Sequence, residues 1–477
     1  MNLRATPRAR AYARARAPVQ SAFIATLYDL AIQPPRFMGD GLPFKNWPRP
    51  LAMAKETLMK STMTAVAALM IGAAFAAPPA AAQSGYGPQG APQTSAQSNQ
   101  EADSNLPQPK TSREAQKALV ALQAAVKANN GADVVAKVAE ANAAAKTVDD
   151  RYMVGALQYK YAAAAKDDTM RAQAIEQMAA SGFKGAPMAT LYVDLGATYT
   201  RLKQDQRASE AYQHALQLRP NDVEATAGLA ESKAAQGQAA EALALLQKGI
   251  ALQSTGGAKA PESWYKRALQ IAWKGKLPQA VQISRDWVAT YPSNDSWVNA
   301  LVIYQNVGSL DDAHALDLMR LKRSVKVLTA GDYFNYGDIA VRKGFPGEAK
   351  AILEQGFAAN AIKKSDPSFS QLYTLASQRS NGDRASLPAA PSATASAHQL
   401  LVVGDAYYGY GDFAKATEFY KAALAKSDGD ANAANLHLGM ALAGAGDKAG
   451  AAAAFAKVGG DYADLAKYWL LSVGANA

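Results

Sequence analysis

The sequence predicts an all-α fold, an α-α superhelix or solenoid built from antiparallel helix pairs stacked one on the next. Three observations predict it. From Thr111 onward, apolar residues recur at intervals of three and four, the period of a helix with one buried face, and not at every second position as in a strand. Alanine, the best helix former, is abundant in these stretches, and the prolines cluster between or outside them. Small and aromatic residues also return in a fixed order with a period of about 34 residues. A single helix pair of that size cannot bury its own apolar faces, so it requires neighbours on both sides.

The clearest unit is Ala189 to Asp222. Tyr192, Leu195 and Tyr199 make one apolar stripe on a first helix. Gly196 lets the neighbouring helix approach, and Ala208 is small where two antiparallel helices cross. Tyr212 and Ala215 face back onto the first helix, and Pro220 stops the second. This spacing resembles the tetratricopeptide repeat, with tyrosine in place of the family's usual first tryptophan and of its usual phenylalanine. The register continues through 223–255 (Leu229, Gly237, Ala242, Leu246, Gly249), 261–293 (Trp264, Ala268, Gly275, Ala280, Pro292), 294–326 (Trp297, Leu301, Tyr304, Gly308, Ala313) and 330–363 (Tyr333, Tyr336, Gly337, Gly344, Ala349, Leu353). It resumes in 397–430 with Gly404, Tyr407, Ala416, Tyr420 and Ala423, and in 431–465 with Leu438, Gly439, Ala451 and Phe455. Gly237, Gly275, Gly308 and Gly344 fall where a first helix turns into a second, so a left-handed backbone is expected there.

Taken in order, the chain divides as follows. Residues 1–58 lack a sustained apolar period and read as a disordered basic leader or as an over-long start preceding Met53 or Met59; the Arg-rich opening also resembles a mitochondrial transit peptide. Residues 59–82 have the three-part layout of a secretory signal peptide: Lys60, the apolar run Thr64 to Ala77, then Ala80-Ala81-Ala82 before Gln83. The run is shorter than the roughly 20 apolar residues that cross a bilayer core of about 30 Å, so cleavage is expected to leave no transmembrane anchor. Residues 83–110 are rich in Gln, Ser, Pro and Gly and read as a disordered linker. Residues 111–186 read as degenerate repeat-like helices, opened by a Thr111–Glu114 capping-box spacing. Residues 187–364 form the main array. Residues 365–396 hold a decayed repeat with a helix near Leu372–Gln378 and a proline-rich connection through Pro388 and Pro391, a joint about which two arms could move. Residues 397–474 complete the chain with two repeats and a capping helix whose Tyr468-Trp469-Leu470-Leu471 cluster either packs inward or serves self-association.

Composition narrows the chemistry. The chain has no cysteine, which excludes disulfides, thiolate metal sites and cysteine nucleophiles. Its net charge is +10, but residues 1–60 set ten cations against three acids and so carry +7 of it; the folded part has no nucleic-acid footprint. Of the four histidines, His214 and His314 read as exposed, and His398 and His437 lie on first helices of successive repeats where they could approach each other; no metal site is expected, and no cofactor. Ser263 and Lys266 match a Ser-x-x-Lys spacing and Gly444 to Gly450 a phosphate-loop spacing, each without its companion motifs. The acid pairs Asp149-Asp150, Asp167-Asp168 and Asp311-Asp312 stand at helix starts, where the dipole favours them. No catalytic constellation emerges.

The resemblance implies an inner groove lined by first helices that takes a peptide or a partner helix. By the register, its lining residues are Arg201, Tyr265, Trp273, Asn299, Asn306, Asn335, Arg342 and Tyr408, with core packing the rival assignment for Tyr265 and Trp273. The family's carboxylate-clamp positions fall on Val193, Ala197, Gly228, Asp295 and Asn299; only Asn299 fits, so that subtype is not implied. The expected function is a periplasmic or otherwise exported, non-enzymatic scaffold or adaptor that binds protein or peptide partners of the cell envelope. The alternatives are a hydrolase or transferase with a site in the degenerate helices at 111–180, and a structural protein that self-associates through Trp469.

Overall fold

The computed structural model describes residues 108–255, 257–308 and 310–474, and every described element is a helix, a turn or a loop. The leader, the signal segment and nearly all of the linker expected from the sequence lie outside the described residues. The chain divides into two compact units, one ending at Ser309 and the other beginning at Leu310.

The first unit is a succession of helix pairs: α1 (Arg113–Ala128) with α2 (Gly131–Ala144), α3 (Val148–Ala165) with α4 (Asp168–Ala180), α5 (Met188–Arg201) with α6 (Asp205–Leu218), α7 (Val223–Ala235) with α8 (Ala239–Thr255), and α9 (Glu262–Lys274) with α10 (Ala280–Thr290). Helix α11 (Asn294–Val307) closes it against α10. Each helix packs on its pair partner, and the pairs stack in sequence order. Caps set the boundaries. Thr147 and Asp150 form a reciprocal capping box at α3, and Asn130, Asp167 and Asp222 cap α2, α4 and α7. The cap of α1 is Ser112, not Thr111: its hydroxyl accepts from the Ala115 amide at 3.3 Å. Ser112 prevails because it is also bound, through its own amide and hydroxyl at 2.8 Å each, by the buried Asp150 carboxylate. Burial raises the Asp150 pKa, but the donors Ser112, Thr147 and Lys146 outweigh it and hold the carboxyl down at about 2.

The second unit contains α12 (Asp312–Ser324), α13 (Ala330–Arg342), α14 (Pro346–Ala358), α15 (Pro367–Ser380), the single turn α16 (Asp383–Ser386), α17 (Ala397–Gly409), α18 (Phe413–Leu424), α19 (Ala431–Gly444), α20 (Lys448–Phe455) and α21 (Ala463–Ser472). The two helices of the sequence unit 294–326 therefore fall in different units, and the division lies inside the expected array 187–364. The reason is local to the second unit, where α12 packs with α13 and α21. The expected joint at 365–396 is tied down instead. The Tyr407 hydroxyl donates to Pro388 O at 3.0 Å, and Lys415 and Lys426 donate to Ala389 O and Ala393 O at 2.7 and 2.6 Å. Trp469 is 1% exposed and stacks on Phe455 with ring centroids 5.5 Å apart, so the terminal aromatic cluster packs inward and Trp469 is no self-association surface.

One local rule builds the pairs. A Cβ at Gly196 would lie 2.7 Å from the Tyr212 ring, one at Gly404 2.5 Å from Tyr420, and one at Gly439 2.4 Å from Phe455. In each case the glycine makes the floor on which the aromatic residue of the second helix rests. Leu195, Tyr199, Ala208 and Ala215 are buried in one core of the first unit, with Tyr192 half-buried against it, and Tyr407, Ala416 and Ala451 are buried within the second unit. Pro220 follows the last turn of α6. Of the four turn glycines, Gly237 and Gly344 take the left-handed conformation, at φ 79° and 86°. Gly275 stays right-handed because the next residue, Lys276 at φ 51°, supplies the reversal, and Gly308 is extended at φ −125°. The rule has a test. Gly404→Ala destabilises the protein by about 1–3 kcal/mol in urea titration, because the Tyr420 ring is fully buried and its hydroxyl is held by Asp405 at 2.8 Å. Gly331→Ala, whose nearest neighbour would be Thr329 Oγ1 at 3.9 Å, has no such cost.

Candidate functional site

The residues read from the register as groove lining separate into three sets. Tyr265 and Tyr408 are buried at 4% and 9% exposure. Tyr265 packs edge-on to Tyr291 with ring centroids 6.0 Å apart, and Tyr408 lies over the Arg320 guanidinium at 4.9 Å, so neither presents a surface to a partner. Arg201 and Arg342 are tied to acids. Arg201 grips Asp168 of the preceding pair with Nε at 2.8–2.9 Å and Nη2 at 2.6 Å, and Arg342 pairs with Asp338 at 3.0 Å and with Asp312. Trp273 and Asn306 are exposed, and Asn299 and Asn335 are half-buried. Asn299 and Asn306 donate to carbonyls one turn back, Asp295 O and Val302 O, each at 2.7 Å.

The strongest chemistry in the molecule was not on that roster. In the second unit five charged side chains meet in the interior: Asp317 and Arg320 of α12, Glu348 of α14, Asp405 of α17 and His437 of α19. Arg320 holds Glu348 in a two-point pair, Nε to Oε1 at 2.9 Å and Nη2 to Oε2 at 2.8 Å. Its Nη1 donates to Asp317 at 3.0 Å and reaches Asp405 at 3.4 Å. His437 bridges the two aspartates, with Nε2 3.0 Å from Asp317 and Nδ1 2.9 Å from Asp405. Tyr336 donates to Glu348 at 2.7 Å and Tyr420 to Asp405 at 2.8 Å. Burial disfavours the charged imidazole, but Asp317 and Asp405 overcome it and push the His437 pKa up to about 10. Asp405 answers in kind: burial raises it, and His437 and Arg320 hold it down at about 2.

These groups pair with one another. They form a clamp on α12, with no nucleophile beside a base and, among the described residues, no group of three or more His, Cys, Asp or Glu placed to hold a metal. His437 and His398 do not pair; aspartates take the place of the expected histidine neighbour. His314 is less open than expected, because its ring stacks on Tyr462 with centroids 4.1 Å apart. His214 stacks on Tyr192 at 5.0 Å. A cavity of about 260 Å³ lies between α17 and the α18–α19 loop, lined in part by His398, Lys426, Asp428 and Asp430. No helix of the described residues is long and apolar enough to cross a membrane.

Helix pairs stacked on a glycine-under-aromatic contact and tied to one another by arginine–carboxylate pairs define a helical-repeat fold. Residues 189–222 match the family model described as tetratricopeptide repeat, so that helix pair is a repeat of this kind. Among solved structures it is similar to a tetratricopeptide repeat protein from Parabacteroides merdae, at 12% identity and a TM-score of 0.25, over 68% of this chain and 99% of that one. No curated protein matches the chain.

Proposed function

We propose that the protein is a non-catalytic scaffold or adaptor of the bacterial cell envelope, exported by the segment at 59–82 and binding peptide or helical segments of other envelope proteins along the first-helix faces of its repeats. The observation that carries this reading is the tetratricopeptide repeat at 189–222 set within successive helix pairs, since repeats of this kind generally mediate protein–protein interaction. The exposed Trp273 and Asn306, with the half-buried Asn299, supply one aromatic anchor and amide groups suited to a peptide backbone, with Asn335 and Arg342 as the corresponding positions in the second unit. Export is tested by intact-mass measurement of the protein recovered from fractionated cells: a mature chain beginning at Gln83 supports it, and an uncleaved cytoplasmic chain overturns it. For binding, Trp273→Ala lowers affinity for a cross-linked and then purified envelope partner by about tenfold or more, as expected of an aromatic anchor. Unchanged affinity across Trp273→Ala, Asn299→Ala and Asn335→Ala removes the reading.

A further inference from the structure

Helix α12 occupies a place that no other helix of its unit shares. It is held by side chains from elements far apart in sequence: Asp332 of α13 takes Lys322 at 2.8 Å, Glu348 of α14 and Asp405 of α17 take Arg320, and Gln355 of α14 takes Arg323 at 2.9 Å. His437 of α19 takes Asp317, and Tyr462, just before α21, stacks on His314. Leu316 and Met319 enter the apolar core made with Tyr333, Tyr336, Phe345 and Ile352. The basic end of α12 meets acids, and its one buried acid meets the histidine. That is the pattern of an amphipathic helix bound in a groove, with apolar anchors for affinity and charged partners for register.

We propose that helices α13 to α21 form a receptor for an amphipathic helix, that α12 is its built-in occupant, and that a partner helix with an acid and an arginine three residues apart beside apolar residues takes the same seat when α12 leaves. This rests on reading the protein as a binder of helical segments and names the segment's chemistry. An empty seat would leave Glu348 and Asp405 buried without their arginine, so a helix lacking it is rejected. Occupancy by α12 also lowers the apparent affinity for any competitor by the fraction of time the seat is open.

The test uses the full chain and, as probe, a fluorescein-labelled synthetic peptide of this protein's residues 311–326, read by fluorescence anisotropy. Arg320→Met in the chain loosens α12, and the peptide then binds about tenfold or more tighter than to the unaltered chain. A peptide carrying Arg320→Met itself binds the same variant about tenfold more weakly. Lys322→Met, which loses the buried pair with Asp332 and leaves the Arg320 cluster intact, serves if the first variant does not fold, with a gain of about threefold or more. The proposal is overturned if neither variant binds the peptide better than the unaltered chain, or if the arginine and methionine peptides bind alike. Such a failure leaves partner binding at Trp273 standing, since that is measured separately with another ligand.

Discussion

Arg320→Met destabilises the second unit by about 3–5 kcal/mol, the range for breaking a buried ion pair from one side. The loss comes less from the bonds removed than from what stays behind. Glu348, Asp317 and Asp405 remain in the interior, and the guanidinium that met all three is gone. His437 cannot replace it, because its two nitrogens are already engaged by the aspartates. Tyr336 still donates to Glu348, which softens the loss without supplying a charge. The effect is therefore strongly coupled. Adding Glu348→Leu to Arg320→Met removes the orphaned carboxylate and restores part of the stability, so the double variant is less damaged than the two single changes would give by addition. Urea titration with hydrogen exchange followed in α17 and α19 measures it. Additive losses would mean that the arginine and the glutamate act independently and that the clamp is not a unit.

How much of this could be read from the sequence follows from the distance at which each contact acts. The glycine-under-aromatic contacts at Gly196, Gly404 and Gly439 bind residues of one helix pair, close in sequence, and their reason is visible in the spacing itself. The cap of α1 was displaced by one residue because the choice between Thr111 and Ser112 is made by Asp150, on another pair. Helix α12 was read as an ordinary second helix because its length and period are ordinary. What sets it apart are partners 28, 85 and 120 residues away, which no periodicity records. A faint signal did exist: Asp405 stands in the apolar run Leu401–Tyr408, and His437 lies between Leu436 and Leu438. A lone charge inside an apolar stripe requires a partner, and two on helices of one unit invite the question of what they share. Register alone places Tyr408 in a groove and leaves Tyr265 open between groove and core. Register fixes the side of the helix a residue occupies, but whether that side is open depends on what packs there, and for Tyr408 that is Arg320.

Raising the pH from about 6.5 toward 10 weakens the second unit by an amount on the order of 3–5 kcal/mol, well before general alkaline unfolding. His437 is the source. Its folded pKa of about 10 lies above the 6.5 of the free side chain, so the folded state holds a proton that the unfolded state releases. The stabilisation is fully present below about 6.5 and is lost as the pH climbs through 10. Four groups face the ring: Asp317 and Asp405 bind it, Tyr420 packs against it with centroids 5.7 Å apart, and Arg320 lies behind the aspartates. Tyr336 and Tyr420, raised well above 10 by burial and neighbouring acids, act with the same sign only at still higher pH, so the window below 10 belongs to the histidine. Asp405 works at the other end: held at about 2 against an ordinary 3.8, it stabilises above about 3.8 and fails as the pH falls toward 2. His437→Gln removes the slope between 6.5 and 10 and shrinks the acid limb, because Arg320 is then the one cation left to hold Asp405 down. A stability curve that stays flat or rises through that window in the unaltered protein would show a neutral imidazole, and with it that Arg320 alone supplies the positive charge facing Asp317 and Asp405.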